Sequence, residues 1–454
     1  MEEIEKKRAV VFGGGGARGS YEIGVWQVLE EIGFSPEIAV GTSVGSLNAC
    51  LLTQGSIDEA MAAWKEIDEN GIFSMDLPEN LSNPTQTRSA LINLAKGAVK
   101  GGGVGYEPLS DLLDRYVSEE DLRKSPITFG LMTTKFPILQ SKPLFLEDIP
   151  EGKVKEYLLA SCACFPAMKP YTIDDTQYID GGYSDNVPLG MAIAKGAEEI
   201  VAVDLKSPGF LIPHNIPEGT QVIRINRLWD LGQLFLFDRA RTHRNMRLGY
   251  LETKKAFNLL DGYKYTFALG DFEEAAKGEI GTKTRTLLYK WKFFGLLFPE
   301  VQGTSIGENR VYSTAKDLLG RKIEEVKNIA SLLMAGAEAL GLQMKVSPLP
   351  IYTVERFSQA VSLMSDEVVV KNATKSKMMA SELELLFGDY KINRERNRRI
   401  VGQIYQILTQ VENPGNKETS QMENRMVLYP MEFLEALYAV VTGASLQKKK
   451  EDKE

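Results

Sequence analysis

Between residues 7 and 206, short and wholly apolar runs alternate with longer stretches whose apolar positions recur at helical spacing. Ala9-Val10-Val11-Phe12 is closed by glycines, as a buried strand would be. Tyr21, Val25, Val28, Leu29 and Ile32 then share one helical face, and Gly33 suits the helix stop. Ile38-Ala39-Val40 predicts a second strand that runs directly into a glycine-framed turn. Leu47 to Gln54 reads as the next helix, with Gly55 past its end. Ser56-Ile57-Asp58-Glu59 is a capping box for another helix, which carries Met61, Trp64 and Ile67. Further on, Ile127 to Met132 predicts a strand and Val154 to Cys164 a helix stopped near Pro166. Ile200-Val201-Ala202-Val203-Asp204 has the near-continuous apolar character of a strand inside a parallel sheet. The alternation predicts an α/β domain over residues 7–206, in three layers around a mainly parallel central sheet.

From 207 to 454 the pattern changes to long helical periods, which predict a mostly helical C-terminal extension. Leu228 to Leu260, Arg321 to Leu342, Ile400 to Val411 and Met431 to Val441 are its helices, and Lys448 to Glu454 is expected to be a disordered charged tail. Two stretches are rich in aromatics, Leu228 to Phe237 and Trp291 to Phe298. They read either as helices that cover a core or as an interfacial surface meeting a bilayer, where Lys290 and Lys292 would suit anionic headgroups. Lys100-Gly101-Gly102-Gly103-Val104-Gly105 is a glycine-rich break, a plain loop or the hinge of a lid. There is no internal repeat.

Composition narrows the function classes more than it chooses among them. The 454 residues are 43% hydrophobic and 25% charged, as in ordinary globular proteins. A net charge of −8 gives nucleic-acid binding no electrostatic support. Cys50, Cys162 and Cys164 are sparse and lack zinc spacing, so no metal is expected and a reducing cytoplasm fits best. The charged N-terminus is followed by no signal-like apolar core. No run reaches the roughly 18 apolar residues of a membrane span, so any membrane contact is expected to be peripheral.

Three segments carry chemistry. Gly41-Thr42-Ser43-Val44-Gly45 places a serine between a strand and a helix, with glycine two positions away on each side. That is the pattern of a strained turn that pushes a nucleophilic hydroxyl outward, with a helix dipole behind it. Gly13-Gly14-Gly15-Gly16-Ala17-Arg18-Gly19 admits several readings. It satisfies the dinucleotide fingerprint, but the second strand ends in Ala39-Val40 and not in the acidic residue that fingerprint needs. It is no phosphate-binding loop either, because no Gly-Lys-Ser/Thr follows. The remaining reading is an oxyanion hole of side-chain-free N–H groups at Gly14, Gly15 and Gly16. Asp180-Gly181-Gly182 places a carboxylate at the end of a short run, Gln177-Tyr178-Ile179, where partial burial would raise its basicity.

In this order the three segments resemble the patatin-like phospholipase family. Asn186, Pro188, the small residues Ala160-Ser161-Cys162-Ala163-Cys164 and the strand Ile200 to Leu205 also match, so the resemblance spans about residues 8–206. It implies a patatin-like fold and hydrolysis of lipid acyl esters by a Ser–Asp dyad, with no metal or cofactor. By that resemblance Ser43 is the nucleophile, Asp180 its base, and Gly14, Gly15 and Gly16 the oxyanion donors. Arg18, Gly41, Gly45, Gly181, Gly182 and Asn186 support them, Arg18 as an anchor of the glycine loop and Asn186 as a brace for the Asp180 turn. Gly13 stands where the family often has aspartate or serine, which removes a side-chain hydrogen bond but no backbone donor.

Two other readings stay open at this point. One is an α/β-hydrolase esterase with a Ser–Asp–His triad, for which the chain offers only His214 and His243. The other is a catalytically silent lipid-binding scaffold. The expected partner in each case is a lipid ester, and the oligomeric state, the lipid and the acyl position are not legible.

Overall fold

A computed structural model describes residues 6–70, 105–291, 328–364, 394–444 and 446. The chain divides into two compact units, Met1–Phe257 and Asn258–Glu454.

In the first unit, strands β1 (Arg8–Phe12), β2 (Ile38–Thr42), β3 (Thr128–Phe136), β4 (Gln140–Phe145), β5 (Tyr171–Ile173), β6 (Thr176–Asp180), β7 (Glu199–Asp204) and β8 (Gln221–Asn226) form one sheet in the order β5-β6-β3-β2-β1-β7-β8, with β4 paired to β3. The run from β3 through β8 is parallel, and β4, β5 and β6 are antiparallel additions at one side. Ala9, Val10, Val11 and Phe12 are wholly buried, as a central strand flanked by parallel neighbours requires. Successive side chains point to opposite faces. Ala9, Val11, Ile38, Val40, Ile200 and Ala202 pack with Leu189, Met191 and Ala192 on one face.

The helices of this unit are α1 (Ser20–Glu31), α2 (Val44–Gln54), α3 (Ile57–Asn70), α4 (Glu107–Tyr116), α5 (Glu119–Lys124), α6 (Val154–Ser161), α7 (Leu189–Ala194) and α8 (Arg239–Ala256). α7 lies on the face just described, and α2 covers the other side of β1 and β2, which completes three layers. Gly33 and Gly55 end α1 and α2 with positive φ, and the Ser56 hydroxyl accepts the Glu59 N–H at the start of α3.

Three expectations need correction. The first compact unit runs past residue 206, because β8 extends the parallel sheet beside β7 and α8 packs against α1. Glycines bring those two helices close: a Cβ at Gly24 would lie 1.9 Å from the Met246 carbonyl oxygen, and one at Gly249 would lie 2.0 Å from that of Tyr21. The Tyr21 hydroxyl also donates to Glu252 at 2.5 Å. Secondly, the helix expected from Leu228 begins only at Arg239, where Asp238 accepts the Arg241 N–H as its N-cap. Residues 228–238 are irregular because Gly232 takes φ 88° and the Leu234 carbonyl turns back to accept the Ala17 N–H at 2.8 Å. The predicted helix from Val154 is also shorter and stops at Ser161.

The second unit contains α9 (Asp271–Lys277), α10 (Glu279–Lys290), α11 (Ile329–Met344), α12 (Val354–Met364), α13 (Arg394–Gln410), α14 (Asn416–Leu428) and α15 (Pro430–Thr442). A short parallel ladder joins β9 (Thr266–Phe267) to β10 (Ile351–Tyr352). α11 is nearly all apolar and buried, and it packs on α15 where Gly336 meets the Leu434 carbonyl. Buried Glu338 accepts N–H groups from Tyr263, Lys264 and Tyr265, which supplies the partners a buried carboxylate needs. Among the described residues no helix is long and apolar enough to cross a membrane. Most of the Lys100–Gly105 break, the Lys292–Phe298 part of the second aromatic stretch, Arg321 to Lys327, and the Lys448–Glu454 tail lie outside the described residues.

Candidate active site

The parallel strands β1, β2 and β7 end at one edge of the sheet, and the glycine turn, the serine turn and the loop after Asp204 leave from it together. Ligands of open parallel sheets bind at this edge, beyond the carboxyl ends of the strands. Ser43 caps α2 with φ 55° and ψ −130°, a left-handed conformation that a side chain resists. The surroundings hold it there. Ser46 donates both its N–H and its hydroxyl to the Ser43 carbonyl, at 2.8 and 2.6 Å. The Ser43 N–H donates to the Ser161 hydroxyl at 2.9 Å, and that hydroxyl donates to the Met132 carbonyl at 2.7 Å. Space dictates the flanking glycines: a Cβ at Gly41 would sit 2.1 Å from the Gly45 oxygen, and one at Gly45 would sit 2.5 Å from the Phe12 oxygen.

Asp180 ends β6, which register with β3 brings level with Thr133, one residue beyond the Thr42–Met132 pair. Its backbone is fixed by its own N–H to Ala163 at 2.9 Å and by the Thr134 hydroxyl to its carbonyl at 3.1 Å. Its carboxylate accepts the Gly182 N–H at 2.7 Å. Burial pushes the Asp180 carboxyl up from 3.8 to about 6, while the facing Ser43 hydroxyl and the Gly182 N–H pull the other way by favouring the charged form. Gly181 leaves no room for a side chain, since a Cβ there would lie 2.2 Å from the Met132 oxygen.

The glycine turn lies against Ser43 and Asn186. A Cβ at Gly14 would stand 3.3 Å from that of Ser43 and 2.4 Å from Asn186 Oδ1. The Gly14 N–H donates to the Asn186 carbonyl at 3.0 Å, so it is engaged and not presented to the cavity as expected. Asn186 returns a bond from Nδ2 to the Gly14 carbonyl at 3.2 Å, which makes it a clamp on the glycine turn as well as a neighbour of Gly182. Arg18 anchors the far end of the turn, donating to the carbonyls of Gly232 and Lys206 at 2.8 and 3.2 Å and to the Ser207 hydroxyl at 3.3 Å.

Ser43, Asp180 and Gly14, Gly15 and Gly16 all line one cavity of about 340 Å³. Away from the polar end its walls are apolar, with Leu47 and Leu51 of α2, Trp64 of α3, and Leu109 and Leu112 of α4. The irregular segment 234–237 closes one side, and Phe237 stacks on Trp64 at 6.4 Å. Phe235 and Phe237 therefore line the cavity, on a segment that is not helical.

Neither histidine lines this cavity. His214 Nε2 pairs with Asp185 at 3.0 Å and packs on Gly190 of α7, in a separate cavity of about 280 Å³. His243 is exposed on α8. A Ser–Asp–His triad is thus not assembled.

Two contributors escaped the sequence reading. In the sequence Ser161 is one of several small residues, and nothing in its spacing marks it as the brace of the serine turn. Glu22 is wholly buried in α1, takes the Gly13 N–H and the Asn48 amide, and burial pushes its carboxyl well above the usual range. A lone acidic residue on an apolar helix face was the available signal. Ser161→Ala is expected to lower stability by about 2 kcal/mol, because it strands both the Ser43 N–H and the Met132 carbonyl. Urea denaturation measures this, and a wild-type midpoint would show that the brace is dispensable.

Residues 10–193 match the family model described as patatin-like phospholipase. Lysophospholipase NTE1 of Coccidioides immitis (strain RS) is 26% identical over 216 residues, which is 47% of this chain and 12% of that protein. Patatin-like phospholipase domain-containing protein 7 of Mus musculus is 25% identical over 201 residues, 44% of this chain and 14% of that protein. The matched region is thus a small part of each relative's length. The crystal structure of VipD from Legionella pneumophila aligns over 99% of this chain and 93% of its own, at 12% identity and a TM-score of 0.33, too low to bear on function.

Proposed function

Residues 10–193 form a patatin-like phospholipase domain, and on that premise we propose that the chain is a serine lipid acyl hydrolase that works through an acyl-enzyme. The observation that carries the reading is a serine on a strained turn facing a buried aspartate of raised pKa, at the polar end of an apolar cavity. Ser43 Oγ attacks the ester carbonyl carbon while its proton passes to Asp180. The resulting oxyanion is held by the N–H groups of Gly15 and Gly16, each donor being worth about 3 kcal/mol in the transition state. Collapse expels the alcohol, which takes the proton from Asp180. Water then attacks the acyl-enzyme, gives a proton to Asp180, and frees the fatty acid as Ser43 recovers it.

An aspartate at 3.8 would be a poor base for a hydroxyl, and its rise to about 6 narrows the gap. The cavity's apolar length suits a long acyl chain, in keeping with relatives named lysophospholipases. Contact with the membrane that holds such lipids is proposed to be peripheral. Purified protein given a panel of lysophospholipids, diacyl phospholipids and neutral glycerides is expected to release free fatty acid, identified by mass spectrometry. Release from none of them would favour a silent lipid-binding scaffold.

The histidines supply a second test. Loss of a general base costs about 10²–10⁴-fold, whereas His214→Gln with His243→Gln is expected to keep turnover of a soluble ester within a few-fold of wild type. Abolished turnover in that folded double variant would overturn the two-residue relay.

A further inference from the structure

We infer that residues Phe210-Leu211-Ile212 form a rigid wedge by which the protein docks on the surface of a phospholipid bilayer beside its acyl cavity. The inference rests on the hydrolase reading for its purpose and on independent geometry for its location. The three side chains are consecutive, apolar, and 62%, 57% and 48% exposed. Ordinarily such a run would turn inward or lie on a mobile loop, but here its backbone is tied down. The Phe210 N–H donates to the Gly182 carbonyl at 2.8 Å, and the Phe210 carbonyl accepts the Asn186 N–H at 2.7 Å. The Ile212 N–H and His214 Nε2 both bond the Asp185 carboxylate, and Pro208 and Pro213 flank the run.

Fixing the backbone in advance removes the ordering cost of binding, so apolar area exposed this way converts efficiently into affinity. The occupant follows from continuity with the site. Phe210 lines the cavity that holds Ser43 and is also largely exposed, so the wedge joins that cavity to the protein surface. A surface that offers acyl chains is a bilayer, and three apolar side chains are enough to seat in its headgroup–acyl boundary. The wedge itself carries no charge, which commits the proposal to apolar insertion into zwitterionic lipid.

Leu211→Ser with Ile212→Ser tests this in the full chain, since both positions are exposed and outside the catalytic cavity. Wild type is expected to co-sediment with phosphatidylcholine vesicles, and the double variant to partition about tenfold less or lower. Hydrolysis of vesicle-borne ester should fall in step, while turnover of a soluble short-chain ester stays near wild type. Leu211→Trp should bind at least as well and shift its emission to the blue on vesicles. Sedimentation does not depend on turnover, so a wild type inactive on every ester would sink the hydrolase reading and leave the wedge still decided. Equal sedimentation of wild type and the double serine variant would overturn the wedge. So would a strict need for anionic lipid, or a concentration-dependent dimer that the same substitutions abolish.

Discussion

Ser43→Ala is expected to leave a folded protein whose ester turnover has fallen by about 10⁴-fold or more. The size of the loss follows from the proposed role of the hydroxyl as the group that bonds to the acyl carbon, with no neighbour among the described residues placed to replace it. Cys162 lies close to Ser43, but burial pushes its thiol far above the usual range, which leaves it without thiolate to attack. Stability should barely change. The strained turn is held through the Ser43 backbone, by Ser46 on its carbonyl and Ser161 on its N–H, and none of these bonds uses the hydroxyl. Alanine keeps the Cβ and therefore the same strain. A fluorophosphonate probe should label wild type and miss the variant, with thermal unfolding midpoints close together. A wild type that takes no label, or an alanine variant that still turns over, would remove the proposed nucleophile.

Local sequence pattern points to these groups for a physical reason. Strands β1 and β2 are buried on both faces, so their residues are nearly all apolar and their ends are marked by glycines that close contacts demand. Ser43 and the glycine turn lie at those ends and Asp180 closes β6 before its own glycine pair, so local pattern suffices to bring them to notice. What pattern could not give is partnership across long separations. That the Gly14 N–H is taken by Asn186 depends on where a segment some distance along the chain comes to rest. The same is true of Ser161 under the serine turn. Residues 228–238 show the opposite failure. Their apolar spacing is compatible with a helix, yet the Leu234 carbonyl is drawn to Ala17 and Gly232 is turned left-handed, so tertiary contacts override the local period. The first unit's true end was hidden likewise, because Gly24 and Gly249 mark a helix contact only once α1 and α8 are side by side.

Asp180→Asn should pull activity and stability in opposite directions. Turnover of a soluble ester is expected to fall by about 10³-fold, since the amide cannot accept the Ser43 proton. In wild type the same dependence should appear as an acid limb near pH 6, where the Asp180 carboxyl takes up its proton. Stability follows from the sign of the displacement. A carboxyl raised by burial binds its proton more tightly folded than unfolded, so its contribution is fully present below its ordinary 3.8 and is lost as pH climbs through about 6. At about 1.4 kcal/mol per pH unit of displacement, the buried charge costs the folded state up to about 3 kcal/mol above that range. Asparagine is never charged, and its oxygen can still accept the Gly182 N–H that Asp180 accepts at 2.7 Å. Urea denaturation should therefore find the variant more stable than wild type at neutral pH, with the difference shrinking toward pH 4. A merely structural aspartate, ionised to complete a hydrogen-bond network, would give the reverse, with the variant less stable at neutral pH and turnover little changed. The contrast with Ser161→Ala sharpens this, because that change is expected to weaken the fold, whereas an inactive but more stable Asp180→Asn would mark a carboxylate kept buried at a cost to the fold for the sake of its basicity.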